Sequence, residues 1–506
     1  AATVGMFMIS KVDFLPSTDS GQIIGSTEAA TRTSFDKMVE YQKEAAAIVS
    51  QDPYIEGVMS SVSGGGSSKT NTGSLFLRLK PYDERPGADD IIQELRPKLA
   101  HLPGLNVYLT NPPAIRIGGR QSKSQYQYTL QALDQGVLQD SATRLMNALA
   151  TKPGFQDVTS DLDMSTPAVD IVIDRDKAAA LGVTPAAIET ALGAAYGGGQ
   201  ISQIYTDIDT YQVILELLPE YRADPSSLSK LYVTAADGTT LVPLTSVTRI
   251  GPGTMPLTVN HLGQLPAITL SFNLEPGVAL SDAVRTIEET QREIRLPATV
   301  QTSFQGTAQA FQESTNSMAV LLVLAIVVIY IILGILYESF VHPLTILSGL
   351  PSAAVGALLT LFVFHQLYLW GIVSSDATLS LYAFVGMIML IGIVKKNAIM
   401  MIDFALARQR SENAKPEDAI YEAAIVRFRP IMMTTAAAFM GTLPIAIGFG
   451  AGSEARQPLG LAVVGGLVLS QLLTLYITPV IYVYLDELGS RVSHWRGRGA
   501  QPHPAE

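Results

Sequence analysis

The sequence predicts a membrane bundle of five full α-helical spans, with the end of a sixth, joined to a large α+β region built of βαβ-like units. Three observations carry this. Of the 506 residues, 48% are hydrophobic and only 16% are charged, which is more apolar than an ordinary soluble domain. The apolarity concentrates after Gln312, where five runs are each long enough to cross a ~30 Å hydrocarbon core. Before it, apolar residues either alternate or recur at three- and four-residue spacing, the marks of strands and helices that are solvated on one side.

Taken in order, the opening AATVGMFMIS lacks a basic leader and reads as the last turns of a preceding apolar helix, residues 1–9. From Lys11 to about Gln312, SLFLRLK (Ser74 to Lys80) and YQVILEL (Tyr211 to Leu217) read as strands by their period of two. Thr33 to Ser50, Ala88 to Ala100, Ser141 to Thr151 and Ser281 to Ile294 read as helices, several beginning at Ser or Asp caps. Strand–helix–strand patterns occur before Asn111, from Gln125 to Ile173, and from Pro266 to Phe304, the last two as halves of one split unit. Asp174 to Pro256 reads as an inserted subdomain with a glycine-rich GAAYGGG (Gly193 to Gly199) and an Asp-Gly hairpin turn in AADGTT (Ala235 to Thr240).

The five spans are about Ser317 to Tyr337, Leu344 to Phe364, Leu381 to Ala407, Pro430 to Phe449, and Leu459 to Leu485. Pro351, inside a span, predicts a kink, and Pro430 a helix start. Arg408 to Arg429 carries five basic residues, whereas His365 to Ser380 carries none and Gly450 to Pro458 only Arg456. The basic connection is cytoplasmic by the positive-inside rule, which puts residues 10–312 on the opposite, periplasmic side and residues 488–506 in the cytoplasm.

Charge excludes several function classes. Glu313 to Glu506 holds 12 acidic and 11 basic residues, so about −10 of the total −11 belongs to residues 1–312. No clustered Lys and Arg favour nucleic acid. With zero cysteines there is no disulfide framework or thiolate metal site. The glycine runs Ser63 to Ser68, Gly118-Gly119 and Gly197 to Gly199 match neither a dinucleotide nor a phosphate-loop pattern and read as turns. No nucleotide or other cofactor is implied, so energy for transport must come from elsewhere.

The residues that carry chemistry are Lys395, Lys396 and Asn397, set inside the third span. A charged group at a helix centre costs about 2.5–3.5 kcal/mol on insertion scales and marks a functional site that needs a partner. Adjacent helical residues lie ~100° apart, so only one lysine faces a polar seam directly; the other is left to bond backbone carbonyls or to snorkel. Asp403 is seven residues beyond Lys396, about 10 Å along the axis and too far to pair. The other spans hold no interior carboxylate, so the counter-charge is expected from a helix outside these 506 residues. Thr434 and Thr435 on the next span are placed to extend a hydrogen-bonded path from Asn397.

IGIVKKNAIMMIDFA (Ile391 to Ala405), AIYEAAIVRFRPIMMTT (Ala419 to Thr435) and PLG…GG (Pro458 to Gly466) together resemble the C-terminal half of a resistance-nodulation-division (RND) multidrug exporter. FLPSTDSGQI (Phe14 to Ile23), LGVTPAAIETALGAAYGGG (Leu181 to Gly199) and LYESFVHPLTILSGLP (Leu336 to Pro351) extend the likeness along the chain. The Lys-Lys-Asn-Ala and Arg-Phe-Arg-Pro spellings look closest to the MdtB/MdtC type, which is AcrB-like.

That resemblance implies a proton-driven, multi-pass pump of the bacterial inner membrane. It implies a homo- or hetero-trimer working with a periplasmic adaptor protein and an outer-membrane channel to export amphiphilic drugs, with membrane lipid as a further partner. It implies a relay of Lys396 and Thr434, with Asn397, Lys395 and Arg427 near it, and an aspartate pair on an N-terminal half. Ferredoxin-like porter subdomains would cover residues 10–122 and residues 123–173 with 257–312, a docking subdomain 174–256, and the spans 313–487. Phe76, Tyr126 and Tyr128 fall near positions that line the family's substrate cleft. One departure is the loop SSVSGGGSSKTNTG (Ser60 to Gly73), aromatic-free where AcrB-like pumps carry phenylalanines.

Two other readings remain at this stage. The chain could be a non-transporting assembly partner in a mixed RND trimer, as the bare loop suggests. It could be a metal-cation exporter, although Met38, Met59, Met146, Met164 and Met255 are scattered and the six histidines lack ligand spacing. No nucleophile–base constellation suggests an enzyme.

Overall fold

The computed structural model describes residues 2–497, apart from residues 32, 63–68, 114, 116, 121, 163–165, 223, 256–257, 374–375, 413 and 451. The glycine run at 63–68 thus lies outside the described residues. Two compact units are present, one of Ala1–Asp161 with Asn260–Glu506 and one of Leu162–Val259.

A short helix, α1 (Ala2–Ile9), leads into the first sheet subdomain: β1 (Gln22–Ala29), α2 (Phe35–Ser50), β2 (Ile55–Val62), β3 (Thr72–Leu79), α3 (Ala88–Ala100) and β4 (Leu105–Thr110). The strands are antiparallel in the order β2-β3-β1-β4. Alternation along β1 and β3 turns Ile23, Leu75, Leu77 and Leu79 inward. Helix α2 starts where Ser34 accepts a hydrogen bond from the Lys37 amide, and it buries Met38, Gln42, Ala45 and Val49 as one stripe.

The same subdomain is closed at its edge by a buried ion pair. Both Asp19 carboxylate oxygens accept from the Arg85 guanidinium, at 2.6 and 2.7 Å, and also from the Gly21 and Ala88 amides at 2.9 Å. Burial alone would raise this carboxyl; the Arg85 and backbone hydrogen bonds outweigh it and hold it below the usual carboxylate range.

The chain continues through β5 (Tyr126–Gln131), α4 (Gln135–Ala150) and β6 (Phe155–Ser160) and then enters the second unit. There it forms β7 (Thr166–Ile173), α5 (Arg175–Ala180), α6 (Pro185–Tyr196), β8 (Gly199–Tyr205), β9 (Thr210–Leu215), α7 (Pro219–Arg222), β10 (Tyr232–Thr234), β11 (Leu241–Pro243), α8 (Leu244–Val247) and β12 (Thr248–Met255). Strands β7 and β12 pair along their whole length. This pairing sets the unit's limits at Leu162 and Val259, wider than the expected 174–256, and takes Thr166–Ile173 out of the split unit to which periodicity assigned it.

Two hairpins of the second unit differ in kind. In β10–β11, Asp237 accepts from the Thr239 and Thr240 amides, and Gly238 takes the positive φ of +74° that the turn demands. The β8–β9 hairpin is exposed along nearly all its length and displays Ile201, Ile204, Tyr205, Ile208 and Tyr211 to the outside.

The first unit resumes with β13 (His261–Leu262), β14 (Leu265–Leu274), α9 (Leu280–Glu293) and β15 (Gln301–Gln305). These complete a second sheet, ordered β13-β14-β5-β15, with β6 also paired to β14. The halves split in sequence are therefore one sheet in space.

Six helices follow: α10 (Thr307–Tyr337), α11 (Val341–Leu347), α12 (Leu350–Leu369), α13 (Leu381–Glu412), α14 (Pro416–Ile447) and α15 (Gln457–Gly497). Among the described residues, five helical segments are long and apolar enough to cross a membrane, α11 and α12 forming one of them. Pro351 sits in the first turn of α12, just after the break between α11 and α12, rather than at a mid-helix kink. Pro430 does not begin a helix. It lies inside α14, which starts at Pro416, since packing in a bundle tolerates the hydrogen bond a proline forfeits.

Glycines let α15 approach its neighbours closely. A Cβ on Gly356 of α12 would stand 2.7 Å from the Gly465 carbonyl oxygen, and one on Gly386 of α13 would stand 2.9 Å from that of Leu459. At the outer end of α13, an extended clasp ties three parts together. Val12 bridges Leu379 in parallel, the Leu379 amide donates to the Lys11 carbonyl (3.1 Å), and the Leu381 amide donates to that of Phe14 (3.0 Å). On its other side, the Ser281 amide of α9 donates to the Val12 carbonyl (3.2 Å).

Asp19→Asn is expected to destabilise the first sheet subdomain by about 3–5 kcal/mol, because it strands the Arg85 charge in the interior. In the unmodified protein the carboxyl is depressed, so its contribution holds above the ordinary carboxyl range near 4 and is lost as pH falls below it. Thermal unfolding of both proteins between pH 7 and pH 3 measures this; an unfolding midpoint unchanged by the substitution at neutral pH would contradict it.

Candidate functional site

Helix α13 carries the lysine pair, and its phase sends the two side chains to different surroundings. Lys395 is 3% exposed and its ammonium donates to the carbonyl of Ile346, in the last turn of α11. The helix breaks at Ser348–Gly349, so that carbonyl has lost its helical partner and takes the lysine instead. Lys396, one residue on, is exposed on the other side of α13. Among the described residues neither lysine forms an ion pair.

Beside them lies a polar network spanning three helices. The Asn397 amide donates to Thr435 Oγ1 of α14 (2.8 Å) and Gln471 Oε1 of α15 (3.1 Å), while Thr434 Oγ1 donates to Asn397 Oδ1 (3.2 Å). Thr435 Oγ1 lies 2.8 Å from the same Gln471 oxygen. The structure thus brings Asn397, Thr434 and Thr435 together as the sequence suggested. It adds Gln471, whose neutral amide sits in a span that offered only small residues as a signal.

Further along α13, Asp403 is exposed, and the Arg427 guanidinium lies 5.2 Å from the centre of the Phe404 ring. The Arg427 Nε is buried with no hydrogen-bond partner among the described residues. The Phe404 ring offers this guanidinium a cation–π contact, and no ion pair to Arg427 is present among the described residues.

A second polar site lies outside the bundle. Within the first unit, a cavity of about 220 Å³ opens between the two sheet subdomains and the outer ends of α12 and α13. Of the three aromatics expected near a substrate cleft, Tyr126 lines this cavity, and its ring stacks on Phe272 at 5.7 Å. Tyr128 does not: it is 3% exposed, packed 4.6 Å from the Phe304 ring, and its hydroxyl accepts a hydrogen bond from Gln291. Phe76 is 42% exposed on β3, opposite Ile24 and Met59, and is not among the lining residues.

The pattern of the AcrB/AcrD/AcrF family matches residues 1–486. The chain belongs to that family. It is 45% identical over 494 residues to the multidrug resistance protein MdtC of Escherichia coli and 44% identical to that of Klebsiella pneumoniae, with 97% of this chain and 47% of each relative covered. The chain spans about half the length of these relatives.

Among solved structures, two crystal forms of a heavy metal efflux pump superpose with TM-scores of 0.80 and 0.82 at 26% and 25% identity, over 95% and 96% of this chain and 48% and 49% of theirs. The family's efflux fold, apolar spans joined to a sheet-rich region, is therefore the fold of this chain. Among the described residues no group of three or more His, Asp or Glu could hold a metal ion.

Gln471→Leu removes the acceptor shared by Asn397 and Thr435. The expected cost is about 1–3 kcal/mol, that of leaving one Asn397 N–H without its acceptor while Thr435 falls back on the Ile431 carbonyl. The melting midpoint of the purified protein in detergent reads it, and an unaltered midpoint would show that the network does not hold the three helices together.

Proposed function

We propose that the chain forms half of a proton-driven RND exporter of amphiphilic compounds in a bacterial inner membrane, with residues 10–312 in the periplasm. The observation that carries this reading is the set Asn397, Thr434, Thr435 and Gln471 beside two lysines that have no carboxylate partner among the described residues, all within apolar helices. A polar path of this kind, expensive to keep in a membrane, suits proton movement better than packing alone. In this reading the exposed side of α13 bearing Lys396 is covered by an N-terminal half that supplies an aspartate pair. Lys395 then holds the helix break, and Arg427 stands toward the cytoplasmic mouth of the path.

The cavity at Tyr126 lies on the substrate route between the porter subdomains. Phe76 and Tyr128 are weaker members of that route, since neither reaches this cavity. The trimer, the periplasmic adaptor and the outer-membrane channel belong to the same proposal. Its support on this chain is the β8–β9 hairpin, whose row of exposed apolar side chains calls for a neighbouring subunit. A heavy-metal substrate, as for the heavy metal efflux pump of similar structure, finds no ligand cluster among the described residues.

Lys396→Met in the complete pump is expected to abolish drug resistance at equal expression. Undiminished resistance would favour the second reading, an assembly partner that transports little itself. Separately, Ile204→Asp with Ile208→Asp is expected to shift the pump from trimer toward monomer in mild detergent, read by native mass spectrometry; an unaltered trimer would remove the hairpin from the interface.

A further inference from the structure

The clasp that joins α13 to the sheet region is flanked by ionisable groups from three stretches of the chain. Asp13 follows Val12, Asp376 precedes Leu379 by three residues, and His365 stands near the outer end of α12. His365 Nδ1 lies 2.7 Å from Asp376 Oδ1, and the residue is 5% exposed. Its Nε2 is buried with no hydrogen-bond partner among the described residues. Asp376 is thus the ring's one polar contact among those residues, so any charge the ring takes up acts on that carboxylate and on the strand pairing beside it.

Neither Asp13 nor Asp376 pairs with a lysine or arginine among the described residues. Asp13 accepts from the Phe14 amide (2.7 Å); burial pushes its carboxyl up to about 6 against that amide, with the help of the Asp376 charge. Other charges around the cluster are engaged or of the same sign. Lys11 donates to the Gly277 carbonyl (3.0 Å), Arg96 to Asp157 (2.5 Å), and on α9 Arg285 to Asp282 (2.8 Å). Asp89, Asp90 and Glu275 add negative charge nearby, and Tyr126 and Tyr368 feel it as neutral phenols. Of the helices packed on α12, α1, α13 as far as Val394 and α15 as far as Gln471 carry no charged side chain, and Tyr382 is the one ionisable group in those stretches.

We propose that His365, Asp376 and Asp13 form a pH-operated lock on the clasp. With His365 charged and Asp13 neutral, the pairing of Val12 with Leu379 is held; with His365 neutral and Asp13 ionised, the like charges of Asp13 and Asp376 push across it. The lock goes beyond the exporter reading and does not require it. Within that reading, it fastens α13 to the sheet region when protons are plentiful outside the membrane.

A carboxyl raised in the closed clasp favours closure where it is protonated. Closure is therefore fullest below the ordinary carboxyl range near 4 and is lost as pH rises through about 6. Hydrogen–deuterium exchange of the complete pump containing this chain, corrected for the intrinsic pH dependence of exchange, reads the Leu379, Leu381 and Ser281 amides that close the clasp. Their protection is expected to be about tenfold lower at pH 7.5 than at pH 5, the ratio that a rise from 3.8 to about 6 gives. Asp13→Asn and Asp376→Asn, each alone, should keep the low-pH protection at pH 7.5. His365→Gln, which still has a donor for Asp376 but no charge, should lower protection at pH 5.

Protection that does not change with pH in the unmodified pump overturns the proposal. So does an undiminished pH dependence in either Asn variant at an unchanged melting midpoint, or a His365→Gln protein as protected at pH 5 as the original. Proton-driven export by the unmodified pump is measured in parallel. Export without pH-dependent protection removes the lock alone, whereas pH-dependent protection without export supports the lock and removes the exporter reading.

Discussion

The membrane bundle is governed by one constraint: a polar group among apolar helices must find its partner inside the protein, because the surrounding hydrocarbon offers none. The polar groups beside Lys395 can be read from that rule. Lys395 takes the carbonyl that the α11–α12 break releases. Asn397, two residues on, is satisfied only by drawing in Thr434 and Thr435 from α14 and Gln471 from α15. The glycines at 356, 386, 465 and 466 serve the same end, since they bring the helices close enough for short side chains to reach one another.

Much of this was legible in the sequence because it is periodic or costly. Alternation located β3 and β9, four-residue spacing located α2 and α3, and an intramembrane lysine stands out against any apolar background. What escaped depends on distant pairing. The segment Thr166–Ile173 looks like a strand of the split sheet until β12, some eighty residues later, claims its whole length. Pro430 looks like a start because a proline usually ends or begins a helix, but the packed bundle carries α14 straight through it.

The site was partly hidden for a similar reason. Spacing said that Lys395 and Lys396 face different ways, yet only the break at Ser348–Gly349 decides which is buried. Gln471 carries no charge and repeats with nothing, so no local signal distinguished it from a packing residue. Asp13 and Asp376 lie more than 350 residues apart. Each alone reads as an ordinary loop carboxylate, and only the clasp at the head of α13 puts both on the wall of one cavity.

That clasp makes α13 something other than a passive span. The helix runs unbroken from Leu381, whose amide is bonded to the Phe14 carbonyl, to Asn397 sixteen residues deeper, about 24 Å along the axis. A stiff rod fastened at its N-terminal end to backbone that also grips α9 would carry an axial or rotational step at Asn397 to both sheet subdomains. Rearranging a few hydrogen bonds at the centre of the bundle would then alter the width of the cavity, with the strand-like stitching of Lys11 to Phe14 acting as the crank.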